Sequence, residues 1–90
     1  MLNWSVYIIQ CDDGSLYTGI STDVERRFQQ HSAGRGAKYF RARRPLKVIY
    51  AEVGHTRASA SQRESAIKKL SRVQKAELID RENCEKDLVV

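Results

Sequence analysis

Apolar and polar positions follow two different periods along the chain, and the switches between them mark its elements. Trp4 to Gln10 (WSVYIIQ) is apolar and β-branched, which predicts a strand. A period of two sets Trp4, Val6 and Ile8 on one face and Ser5, Tyr7 and Ile9 on the other. Asp12-Asp13-Gly14 is a turn signal, and a three-residue loop with glycine in the left-handed position closes a hairpin. With Cys11 opposite Ser15, Tyr17 then pairs with Ile9 and Tyr7 with Gly19, so both tyrosines share a face. A two-residue Asp13-Gly14 turn would separate them, because a shift of one residue in register flips every side chain.

The period then becomes helical. Thr22-Asp23-Val24-Glu25 has the capping-box pattern and starts a helix that runs to about His31. Val24 and Phe28, four apart, form its buried stripe. Arg27 lies about 60° from Val24 on the helical wheel, beside the stripe, and Arg26 points nearly opposite. Ser32 to Gly36 breaks this helix. Ala37 to Arg43 can form a short helix, which Pro45 stops. Leu46 to Val53 (LKVIYAEV) predicts the third strand, ended by Gly54, with a loop to Ser59. A second long helix begins near Ser59 and ends near Leu70, with Ala60, Ile67 and Leu70 inward. Glu64 borders that stripe. Ser71 caps a last helix from Arg72 to about Asp80, with Val73, Ala76 and Ile79 inward. Residues 81 to 90 are left as a C-terminal tail without an assigned element.

The predicted order is β-β-α-(α)-β-α-α. Three short strands cannot hide both faces alone, so the expected architecture is an α+β fold: a small three-stranded sheet flanked by helices. Its first strand, the most apolar, belongs at the centre. Ninety residues imply one domain, with its core in residues 4–80. No apolar run approaches the roughly 20 residues of a membrane span, and no charged start precedes a long apolar block. Cys11 and Cys84 match no metal-ligand spacing, and free thiols in a reducing cytosol are the expectation.

Charge changes the picture. The net charge is +5, but from Arg26 to Ala51 there are eight basic residues and no acidic one. The remainder of the chain carries eight basic residues against eleven acidic ones, so the positive charge is one block. Such a block (Arg26, Arg27, Arg35, Lys38, Arg41, Arg43, Arg44, Lys47) points to an anionic partner, foremost nucleic acid. A solvated basic face is the plainer alternative. Tyr39 and Phe40 lie inside the block, where an aromatic ring can stack on a base or simply be buried.

No glycine-rich phosphate loop and no zinc-spaced Cys/His cluster is present. What remains is a set of groups on borders: Tyr7 and Tyr17 on one sheet face, with Arg27 and Glu64 beside the stripes of two helices. Such a set suits phosphodiester hydrolysis. A phenol helps remove a proton from water, a carboxylate holds a hard divalent cation, and an arginine stabilises phosphate charge. Each residue also has an ordinary reading: half-buried strand tyrosines, an Arg27 ion pair, a Glu64–Lys68 surface bridge, and a His31 that meets the helix dipole.

The sequence resembles the GIY-YIG nuclease superfamily, and most closely its small stand-alone bacterial branch of the YhbQ type. The resemblance covers roughly Trp4 to Ile79. Val6-Tyr7-Ile8 stands in place of GIY and Tyr17-Thr18-Gly19 in place of YIG. TDVERRFQQH, GAKYFRARRPLKVIY and RESAIKKL follow in order. It implies a central three-stranded antiparallel sheet and an endonuclease, dependent on Mg²⁺ or Mn²⁺, that cleaves DNA rather than RNA in repair or nucleic-acid turnover. No small-molecule cofactor is implied. Matched by position, Tyr7 and Tyr17 are the motif tyrosines, and Tyr17 is the better candidate to help activate water. Gly19 is the motif glycine, Arg27 the phosphate-stabilising arginine, Glu64 the metal-binding glutamate, and His31 aligns with a histidine of several branches. The basic block, with Arg26, Arg35, Lys38, Tyr39, Arg41, Arg43, Arg44 and Lys47, would carry nucleic-acid binding. Many catalytic relatives bear an asparagine on the helix after the glutamate, where this chain offers Gln74 and Lys75 and no asparagine before Asn83. Two alternatives therefore remain beside the endonuclease: a catalytically weak or inactive nucleic-acid-binding module, and an interaction subunit of a larger nuclease.

Overall fold

The computed structural model describes the backbone of residues 2–89 and the side chains of residues 2–81. Strands β1 (Trp4–Cys11), β2 (Leu16–Ser21) and β3 (Pro45–His55) form one antiparallel sheet in the order β2-β1-β3. Helices α1 (Val24–Ser32), α2 (Arg57–Lys68) and α3 (Arg72–Val89), with a 3₁₀ turn at Lys38–Arg41, cover it. The most apolar strand is therefore central, and it is buried on both faces. Val6 and Ile8 pack with Tyr50, Ala60 and Ile67 beneath α2 and α3. Tyr7, Ile9 and Cys11 pack with Phe40 on the other face, beneath α1 and the 3₁₀ turn. Among the described residues no helix is long and apolar enough to cross a membrane.

The hairpin closes as its turn chemistry predicts. Cys11 N–H donates to the Ser15 carbonyl at 2.9 Å, and Gly14 takes φ +82°. Tyr7 pairs with Gly19 and Ile9 with Tyr17, so both tyrosines share one face. The turn also anchors the basic segment. Arg43 Nε lies 2.8 Å from an Asp13 oxygen, and Arg44 N–H donates to Asp12 Oδ1 at 3.1 Å.

Four local expectations are corrected. The α1 cap is Asp23, not Thr22: its carboxylate accepts from Arg26 N–H at 3.0 Å. The Ser21 hydroxyl bonds both the N–H and the carbonyl of Asp23, which holds that residue extended at the helix entrance. Strand β3 does not end at Gly54. Val6 pairs with Glu52 and Trp4 with His55, so Gly54, at φ +79°, sits in a bulge. Two further register shifts let the longer β3 follow the shorter β1. Helix α2 starts at Arg57, because Thr56 caps it and Ser59 is the reciprocal capping-box partner. Finally, α3 turns Leu78 and Ile79 to the core, while Val73 is 68% exposed and Ala76 faces solvent. Its start is set by polar anchors: Ser71 and Gln74 cap each other, and Arg72 donates to the Gly14 carbonyl at 3.0 Å. With few apolar residues on α3, these anchors decide its rotation.

Cys11 is a buried free thiol. Cys84, Asn83 and the side chains of the C-terminal tail lie outside the described residues. The backbone of residues 81–89 continues α3. A polar network seals the edge where β3 meets α2. Glu52 accepts from Tyr50 Oη, from His55 Nε2 at 2.6 Å and from Arg63 Nε at 3.1 Å, and Ser59 Oγ meets His55 Nδ1 at 2.9 Å. Burial opposes ionisation of Glu52, but these three bonds together hold its carboxyl below the ordinary value.

Candidate active site

The tyrosine-bearing face of the hairpin is the floor of the site. The Tyr7 and Tyr17 rings lie 6.3 Å apart, inclined at 46°. Gly19, opposite Tyr7, gives them room: a Cβ there would stand 2.6 Å from Tyr7 Oη.

Helix α1 lowers His31 onto this floor. The histidine is 1% exposed, and its Nε2 lies 3.0 Å from Tyr7 Oη. Its Nδ1 accepts from the Ala37 backbone N–H at 3.2 Å. A backbone N–H can only donate, so Nδ1 carries a lone pair and the proton of the neutral ring sits on Nε2. His31 therefore donates to Tyr7 Oη. Burial, reinforced by the Arg27 charge, pushes the imidazole down to about 4, which keeps it neutral at physiological pH. The segment that supplies Ala37 passes very close, since a Cβ on Gly36 would fall 1.8 Å from His31 Nδ1. The dipole reading of His31 is thus replaced: the ring is a buried, neutral partner of Tyr7.

Arg27 is half-buried and Arg26 exposed, in the order their wheel positions predict. Arg27 Nη1 donates to Gln30 Oε1 at 3.0 Å. Its charge bears on both phenols and on His31. Glu64 comes from α2, on the opposite side of the sheet, and its charge acts on the same two phenols. Its carboxylate pairs with Lys68 Nζ at 3.8 Å, a loose i,i+4 bridge. Burial raises Tyr7 to about 12, with Tyr17 adding to the effect and Arg27 opposing it. Tyr17 is raised by burial as well, lowered by Arg27 and raised by Glu64. Both phenols hold their protons at neutral pH.

Tyr7, Tyr17, His31, Arg27 and Glu64 therefore act on one another, drawn from two strands and two helices. Among the described residues no three His, Cys, Asp or Glu side chains cluster as a preformed metal cage. One half-buried carboxylate fits a small hard cation that keeps most of its water and takes its other ligands from a phosphate.

The basic block divides. Arg26, Arg35, Lys38, Arg41, Arg44 and Lys47 are exposed. Arg43 is engaged internally, paired with Asp13 and stacked 4.3 Å above the Tyr39 ring. Tyr39 is half-buried with its ring 5.3 Å from Tyr17, and Phe40 is buried at 4.8 Å from Tyr17. Phe40 thus belongs to the core and Tyr39 forms a rim of the site. An open cleft of about 320 Å³ lies beside His31 and Phe40, lined by Arg41, Arg43 and Arg44. Sequence reasoning did not single out Gln30, Gly36 or Ala37. The one available signal was a second glycine, Gly36, two residues after the helix-ending Gly34, where a single turn glycine would suffice. Only Gly34 of that pair has positive φ.

Comparison with known proteins shows the family of the chain. The family model described as the GIY-YIG catalytic domain matches residues 3–77. The UPF0213 protein DP2720 of Desulfotalea psychrophila is 51% identical over 77 residues, covering 84% of this chain and 70% of its own. The UPF0213 protein SSP2268 of Staphylococcus saprophyticus is 47% identical over 74 residues, covering 82% and 90%. The solution structure of EF2693 from E. faecalis superposes with a TM-score of 0.62 at 38% identity, covering 93% of each chain. That of the UPF0213 protein BH0048 from Bacillus halodurans gives 0.55 at 42% identity, covering 86% and 82%.

Proposed function

This chain belongs to the GIY-YIG family, a nuclease family, and from that membership we propose that it is a divalent-metal-dependent endonuclease that hydrolyses DNA phosphodiesters. The proposal treats residues 1–90 as a single nuclease domain, since the family match spans most of them. What supports it best is that Arg27 and Glu64, from helices on opposite sides of the sheet, both bear electrostatically on Tyr7 and Tyr17.

In this reading the scissile phosphate lies over the two tyrosines. Arg27 faces its non-bridging oxygens and stabilises the charge that builds there in the transition state. Tyr17, less encumbered than Tyr7, hydrogen-bonds the attacking water and helps draw off its proton. Tyr7 Oη accepts from His31 Nε2, so its own O–H is free to donate toward the phosphate. Neutral His31 holds the Tyr7 ring in place without adding charge. A Mg²⁺ or Mn²⁺ ion held by Glu64 would supply positive charge to the phosphate and offset the carboxylate charge that otherwise raises both phenols. The exposed cations Arg26, Arg35, Lys38, Arg41, Arg44 and Lys47 bind backbone phosphates, which makes affinity salt-dependent and weakly sequence-selective.

A second reading, a nucleic-acid-binding module with weak or absent cleavage, is favoured by the state of Gln74. Gln74 is one of the polar side chains that α3 offers where many relatives carry an asparagine, and it is committed to capping α3 at Ser71. Nicking of supercoiled plasmid separates the readings. The proposed enzyme nicks with Mg²⁺ or Mn²⁺, stops in EDTA, and loses its activity in Glu64→Ala. Equal nicking by the parent and Glu64→Ala would refute catalysis at this site, and salt-sensitive binding without nicking in any metal would support the second reading.

A further inference from the structure

The start of β2 meets the start of α3 in a cleft beside the site described above. Its volume is about 200 Å³, and its walls are Ser15, Leu16, Tyr39, Arg72 and Lys75. Two of the five are cations and none is an acid. Neither cation belongs to the Arg26–Lys47 block. Arg72 is anchored by its bond to the Gly14 carbonyl at 3.0 Å, so its guanidinium is held at the hairpin turn. Lys75 is half-buried, and among the described residues it forms no ion pair. A half-buried ammonium beside a second cation, with no carboxylate in the walls, is electrostatically incomplete. An anion entering the cleft completes it.

The position of the cleft identifies the anion. Tyr39 is its aromatic wall, and the Tyr39 ring lies 5.3 Å from that of Tyr17, so the cleft begins one ring away from the candidate active site. Arg43, stacked at 4.3 Å on Tyr39, makes that ring a firm partition between the cleft and the basic segment. Water in bulk takes about 30 Å³ per molecule, so the cleft holds roughly seven waters' worth of volume, room for a phosphodiester with part of its sugar.

We propose that Arg72 and Lys75 bind a backbone phosphate of the nucleic-acid strand that flanks the phosphate at Tyr17, with Tyr39 as the wall against which the intervening nucleotide rests. The inference rests on the nuclease reading and extends it: the strand runs off the tyrosine face, past the start of β2, and onto the first turn of α3. The helix after the metal-binding glutamate then contributes two cations to one phosphate.

The test is the salt dependence of binding to a short fluorescein-labelled DNA duplex, followed by anisotropy in EDTA, where no cleavage occurs. Parent, Lys75→Ala, Arg72→Ala and the double variant are compared with Arg57→Ala, whose guanidinium lies near Trp4 at the opposite end of β1. Each phosphate contact contributes about 0.9 to the slope of log K against log salt on duplex DNA. The expected result is a slope shallower by about one for the double variant and by part of that for each single variant, with Arg57→Ala at the parent value. Lys75→Arg restores the slope. A parent that binds and nicks while all variants keep its slope overturns the subsite and leaves the nuclease reading standing. A parent that neither binds nor nicks overturns both. Circular dichroism of each variant at the parent's amplitude ties any change in slope to the lost cation rather than to unfolding.

Discussion

Acidification should destabilise this protein through His31 before its carboxylates are protonated. In the fold the imidazole is held near pKa 4 by burial and by Arg27. In the unfolded chain it returns to about 6.5. Between those values the unfolded state binds the extra proton, so stability is complete above about pH 6.5 and falls as pH drops toward 4. For pKa values of 4 and 6.5 the loss between pH 7 and pH 5 is about 1.8 kcal/mol, and it levels off below pH 4 at about 3.4 kcal/mol. Urea unfolding at intervals across this range measures the loss. The paired variant His31→Gln keeps an acceptor for Ala37 N–H and removes the titration. His55 and the carboxylates are present in both proteins, so they cancel in the difference, including Glu52, whose contribution is lost as pH falls from the ordinary carboxylate value through its own depressed one. The parent should lose about 1.8 kcal/mol more than the variant between pH 7 and pH 5. Parallel pH profiles, or a parent that gains stability on acidification, would refute the burial of a neutral His31 and with it the tautomer assigned above.

Two further predictions test the packing. Gly36→Ala should destabilise by about 1–3 kcal/mol or more in denaturant unfolding, because its Cβ would collide with His31; it should cost more than Gly34→Ala, although only Gly34 has positive φ. Val73→Ala should change stability by less than about 0.5 kcal/mol, while Ile67→Ala should cost roughly 2–5 kcal/mol; a large effect at Val73 would mean that α3 packs on its other face.

Much of the fold was legible because local chemistry and long-range packing agree. The apolar run Val6–Ile9 marks a strand covered on both sides. Asp12-Asp13-Gly14 dictates a loop length, and that length aligns Tyr7 with Tyr17. The 3.6-residue period separates Arg27 from Arg26 and leaves Glu64 at a border. Where two cap-competent residues stand side by side, as Thr22 and Asp23 do, local preference cannot choose. The Ser21 hydroxyl, fixed at the end of β2, makes the choice. Gly54 misled for a related reason: glycine marks a break in regular dihedrals, and a bulge and a strand end both require one. Val73 and Ala76 misled because α3 carries too few apolar residues for periodicity to set its rotation.

What the sequence by itself determined is the list of parts and the face on which each would lie: a hairpin with two tyrosines on one side, an arginine and a glutamate at helix borders, and one basic block. Only the tertiary structure decided how those parts act on one another. His31 lies 24 residues from Tyr7, and nothing local marks it as a buried donor rather than a surface ring at a helix end. Its protonation state follows from a backbone N–H six residues away, in a loop whose path depends on Gly36. Pairwise electrostatics and hydrogen bonding depend on distances across the chain, whereas propensity and periodicity report only neighbours along it. The hairpin could therefore be read directly, but its neutral histidine, its raised phenols and the cation cleft at its end required the fold.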